Sequence, residues 1–86
     1  MTEPRSLTAL WKIWQNIHNS VCSIEVHFWV KKRTGQLEMR CEGVNENGIR
    51  YISGAWKPSL PCAVASLHQY LIRWHGQPSA CRRRKP

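Results

Sequence analysis

SIEVHFWVKKRTGQLEMRCE, residues 23–42, carries the two-residue repeat that sets the architecture. Ile24, Val26, Phe28 and Val30 fall on one side of a strand, with Glu25, His27, Trp29 and Lys31 on the other. That is the pattern of a strand with one face toward a core. Leu37, Met39 and Cys41 then alternate with Glu38, Arg40 and Glu42. A hairpin closing around Thr34-Gly35 pairs Val30 with Met39 and Phe28 with Cys41 on the apolar face. The same register pairs Lys31 with Glu38, Trp29 with Arg40 and His27 with Glu42 on the polar face. Both faces are then self-consistent, and a one-residue slip would spoil both.

Downstream, Asn45-Glu46-Asn47-Gly48 reads as a turn, since Asn-Gly readily takes positive φ. A third strand, Ile49 to Trp56, follows with a less regular pattern. Ile49, Tyr51, Ser53 and Ala55 share one face, and Arg50, Ile52, Gly54 and Trp56 the other. Ile52 and Trp56 on the open face point either to a bulge near Gly54 or to a sheet partly covered on both sides.

Two helices flank the strands. Leu7, Leu10, Trp11, Trp14 and Ile17 recur at helical spacing, with Ile13 widening the stripe, which predicts a helix over Leu7 to Asn19 capped by Ser6 or Thr8. Ser59 caps a second helix with Pro61 in its first turn. Its stripe is Leu60, Ala63, Val64, Leu67, Leu71 and Trp74, with Tyr70 at the border, and Gly76 and Pro78 stop it. The expected fold class is α+β in the order α-β-β-β-α: a three-stranded antiparallel sheet with both helices packed on the face of Val26, Phe28 and Met39. Residues 1–6 form an arm, 7–76 the single domain, and 77–86 a basic flexible tail.

The chain has 86 residues, enough for one modest core. Thirteen Lys and Arg oppose five Glu, a net charge of +8, which predicts attraction to polyanions. Arg82, Arg83, Arg84 and Lys85 form one cluster, and Lys31, Lys32 and Arg33 another. No apolar run is long enough to span a bilayer. Met1 to Ser6, with Glu3 and Pro4, does not resemble a secretory signal. A cytoplasmic address follows by default, with nuclear import open to the basic tail in a eukaryotic cell.

Cys22, Cys41, Cys62 and Cys81 show no CxxC pair. They read as free thiols, mostly buried, ahead of two disulfides or a metal site. His18, His27, His68 and His75 are widely spaced and read as surface or boundary residues. There is no Asp, no phosphate loop and no HExxH, and Glu25, Glu38 and Glu42 fall on the exposed side of the sheet. A catalytic centre, cofactor or metal is therefore not expected.

The expected working surface is the open sheet face. Trp29 beside Arg40, the Lys31-Lys32-Arg33 tip and Arg50 would give an aromatic platform edged with cations able to stack a base and hold phosphates, with Lys57 a further candidate contact. The tail, Arg82 to Lys85, would add salt-sensitive phosphate contacts. Against this, the three glutamates of the face repel phosphate. A protein partner, with Trp and Arg as anchors, is the rival reading. Spare apolar surface at Ile52, Trp56 or Trp11 leaves room for a homodimer.

The α-β-β-β-α order over residues 7–75 is similar, in layout alone, to double-stranded-RNA-binding domains. The resemblance implies a lysine cluster at the start of the second helix. Here that position reads Trp56-Lys57-Pro58-Ser59-Leu60-Pro61-Cys62, with Lys57 as its one cation. The expected function is a small non-enzymatic nucleic-acid-binding accessory protein, DNA or RNA, with a protein-binding adaptor or inhibitor of a larger enzyme as the alternative.

Overall fold

The structure, a computed structural model, describes residues 3–15 and 21–78. Its order is α1 (Leu7–Trp14), β1 (Ser23–Val30), β2 (Leu37–Val44), β3 (Arg50–Ser53) and α2 (Leu60–His75). The strands form one antiparallel sheet in the order β1-β2-β3, and both helices pack on the face of Ile24, Val26, Met39 and Cys41. The α+β architecture expected from the sequence is therefore present. Expectations for Ile17 to Asn19 and for the tail beyond Pro78 lie outside the described residues.

Ser6 caps α1, its hydroxyl accepting from Ala9 N at 3.1 Å, and Ser59 caps α2 by accepting from Cys62 N at 3.4 Å. Gly76, at φ 82°, stops α2. The core is Leu10, Trp14, Val21, Cys41, Ala63, Val64, Leu67 and Leu71. Trp14 ties the helices together: its indole N–H donates to His68 Nδ1 at 3.1 Å in the interior. His68 is thus a buried residue, which corrects its reading as a surface or boundary residue. Trp74, placed in the apolar stripe of α2, is 71% exposed.

The hairpin register differs from the expected one by two residues. Val30 pairs with Leu37, Trp29 with Glu38, Phe28 with Met39, His27 with Arg40, Val26 with Cys41 and Glu25 with Glu42. A two-residue shift keeps every side chain on its own face, so alternation alone does not distinguish the two registers. Turn chemistry does. A two-residue Thr34-Gly35 loop of the favoured primed types needs positive φ at Thr34, which a β-branched side chain resists. The observed loop closes instead between Lys31 and Gln36, with Lys31 N donating to Gln36 O at 2.9 Å and Gly35 N to Lys31 O at 2.8 Å. It places positive φ, 70°, on Gly35.

β3 also corrects an expectation. A register irregularity opposite Gly43 and Val44 pairs Gly43 with Ile52 and Val44 with Arg50. Tyr51 is the extra residue, so Tyr51 and Ile52 both pack against the core while Arg50 stays on the open face. Ile52, half-exposed, thus lies on the core side of the sheet and not on the open face. Beyond β3 the chain continues along β2: Gly54 N donates to Cys41 O, and Lys57 exchanges two backbone hydrogen bonds with Met39. Trp56 emerges on the open face beside Arg40.

Candidate functional site

The open sheet face divides into two halves. Near the turn joining β2 to β3, adjacent strands set Glu25 directly opposite Glu42, a like-charge pair that destabilises a sheet unless cations intervene. Two basic groups do so. His27 Nε2 lies 3.1 Å from Glu25 Oε1 and 3.0 Å from Glu42 Oε1, and Arg50 Nε lies 2.7 Å and 3.3 Å from the same two oxygens. Arg40 pairs with Glu42 Oε2 at 2.6 Å, and Ser53 Oγ donates to that oxygen at 3.1 Å. Glu42 is only 3% exposed, correcting its assignment to the solvent side. Its Oε1 receives no well-aligned hydrogen bond despite its two close neighbours. The hydrogen bonds from Arg50, then His27, hold the Glu25 carboxyl below the usual carboxylate range, and Glu25 raises Arg50 in return.

The other half, toward the hairpin tip, is aromatic. Trp29 and Trp56 rings lie 5.8 Å apart, and the Arg40 guanidinium sits 4.7 Å from the Trp56 centroid. The two-residue shift in register places Trp29 opposite Glu38 instead of Arg40. Its indole N–H donates to Glu38 Oε1 at 3.1 Å, while Lys31 Nζ lies 3.6 Å from Glu38 Oε2. Lys31, Arg40 and Arg50 of the expected platform thus each pair with a carboxylate of the same face. Lys32 and Arg33 are exposed at the tip. Lys57 lies apart, in an open cleft of about 530 Å³ shared with Arg5, Cys62 and Gln69. Arg82, Arg83, Arg84 and Lys85 lie outside the described residues.

The helix layer does not reach the hairpin end. Phe28, Val30 and Leu37, expected on the core face, are 60%, 56% and 43% exposed, and Trp29 on the reverse side is 45% exposed. The hairpin therefore projects with apolar side chains on both faces. Sequence reasoning missed this feature, because alternation reports which side chains share a face and not how far the helices extend over it. It set His27 against Glu42 but did not bring Glu25 or Arg50 to them. The spacing of Glu25 and His27 marks a shared face, but their meeting with Glu42 and Arg50 depends on the register and the bulge.

The three cysteines among the described residues are free: Cys41 is buried, Cys62 half-buried and Cys22 exposed. Burial pushes the Cys41 thiol up to about 11. No helix among the described residues is long and apolar enough to cross a membrane. No protein-family model, curated protein or solved structure matches the chain at a significant level, so the strand and helix order by itself assigns no family.

Proposed function

We propose that this chain is a non-catalytic binding protein that modulates a larger protein by docking its β1–β2 hairpin on an apolar, acid-rimmed surface. The observation that carries the reading is the exposure of Phe28, Trp29, Val30 and Leu37 together at one end of the sheet. Adjacent exposed apolar side chains on a small domain mark an interaction surface. Trp is a favoured anchor at such surfaces, and Lys32 and Arg33 beside it select carboxylates on the partner.

The nucleic-acid reading of the sheet face is weaker. A phosphate approaching Lys31, Arg40 or Arg50 has to displace Glu38, Glu42 or Glu25 first, and the adjacent carboxylates repel it. Polyanion attraction then rests on the overall +8 charge and the Arg82 to Lys85 run, a salt-sensitive and sequence-blind contribution.

The test places a photo-crosslinking residue at Val30 and, as control, at exposed Thr8. Cells of the source organism are irradiated with excess unlabelled chain or its Val30→Asp variant as competitor. The expected result is one discrete protein adduct from position 30, competed by the wild-type chain and not by the variant. In parallel, duplex DNA, single-stranded DNA and duplex RNA are titrated at about 50 and 200 mM salt. Nucleic-acid binding that weakens with Trp29→Ala, with no competed protein adduct, overturns the reading. An adduct with a second copy, matched by concentration-dependent sedimentation, overturns it in favour of a homodimer.

A further inference from the structure

We propose that Glu25, His27 and Glu42 form a site for a first-row divalent cation, zinc by ligand chemistry, which binds by displacing the Arg50 guanidinium. His27 Nε2 stands 3.1 Å from Glu25 Oε1 and 3.0 Å from Glu42 Oε1, and one ligand atom from each residue falls within 4.8 Å of the others. Ligand bonds of about 2.0–2.2 Å in a tetrahedral zinc site put neighbouring donors roughly 3.3–3.5 Å apart. The two imidazole-to-carboxylate separations therefore need to open by only a few tenths of an ångström.

Glu42 is the independent pointer. Its carboxylate is nine-tenths buried, with Oε2 fixed by Arg40 and Ser53 and Oε1 lacking an aligned hydrogen bond. His27 and Arg50 stand 3.0 Å and 3.3 Å from that oxygen without completing an aligned hydrogen bond, and a directly bonded metal ion satisfies it where they do not. Arg40 and Ser53 then act as the outer partners that orient a metal-binding carboxylate. Arg50 marks where the positive charge belongs, since its Nε lies near both Glu25 Oε1 and Glu42 Oε1. Its side chain is 59% exposed, which leaves room for it to turn into solvent as a metal takes its place. One imidazole with two carboxylates suits zinc better than magnesium or calcium, which require more oxygen ligands. The site is independent of the hairpin end and of the partner proposed for it.

The test is calorimetric titration of zinc chloride into the intact protein with reactive cysteines alkylated, alongside Glu25→Gln, His27→Ala and Arg50→Ala. The expected result is one saturable site. Glu25→Gln and His27→Ala weaken it about tenfold or more, and Arg50→Ala, by removing the competing cation, tightens it by a similar factor. The ¹⁵N resonance of His27 Nε2 shifts on zinc addition. Glu25→Gln alters a partly exposed carboxylate and guards against a folding defect in His27→Ala. Absent saturable binding, or binding indifferent to Glu25→Gln and Arg50→Ala, overturns the proposal. So does zinc binding confined to Arg50→Ala, which would make Arg50 the permanent counter-ion of the cluster.

Discussion

The bond from the Trp14 indole to His68 Nδ1 requires His68 to be neutral with its proton on Nε2. Desolvation lowers the His68 pKa, opposed by a smaller contribution from Glu3. The unfolded chain therefore takes up this proton at higher pH than the folded one. The stability held by His68 is full above about pH 6.5 and falls as the pH drops from there through the lower folded value. Urea midpoints measured from pH 8 to 5 should show that decline. His68→Phe should flatten it while costing about 1–3 kcal/mol at pH 8, because the buried indole N–H loses its acceptor. Cys41 gives a second residue-scale prediction. With its thiol raised to about 11, it stays protonated at pH 8 and resists iodoacetamide until the domain unfolds, whereas exposed Cys22 reacts at once. Peptide mass spectrometry with and without denaturant separates the two.

Among the elements, the segment just past β3 packs tightly on α2. A Cβ built on Gly54 stands 2.9 Å from the Leu67 backbone nitrogen, and backbone cannot rotate aside as a side-chain tip can. Ala55 N donates to Ser66 Oγ at 2.9 Å in the same seam. Gly54→Ala should therefore cost about 1–3 kcal/mol in denaturant unfolding, while Ser59→Ala at the cap of α2 should cost about 1 kcal/mol. Both caps were legible in the sequence because a cap is local: one hydroxyl three residues before the N–H it accepts from. The hairpin faces were legible for the same reason, since alternation is written in neighbouring residues. The register was not, because registers two residues apart put the same side chains on each face and differ in the cross-strand pairs and the loop conformation. A bulge was legible near Gly54, but it falls at Tyr51, and the helix backbone beside Gly54 belongs to another part of the chain.

Across the whole molecule, the core and the proposed docking end occupy opposite ends of one sheet, so stability and binding should separate. Phe28→Ser and Val30→Asp alter exposed side chains and should leave the unfolding free energy within about 0.5 kcal/mol of wild type, yet abolish competition in the crosslinking assay. Leu67→Ala, in the core, should instead cost about 2–5 kcal/mol. Hydrophobic periodicity, caps and turn residues by themselves determined the element order, the antiparallel meander and the placing of both helices on one face. These are properties of short windows, where side-chain direction follows directly from helical or strand geometry. Tertiary structure alone decided which apolar residues stay covered: α1 and α2 bury Cys41 and Trp14 but leave Phe28, Val30 and Trp74 in solvent. It also decided that Glu25, His27, Glu42 and Arg50, drawn from three strands, converge. The physical reason is that coverage depends on where another layer ends, and convergence on a register and a bulge, neither of which is encoded in the period of any one segment.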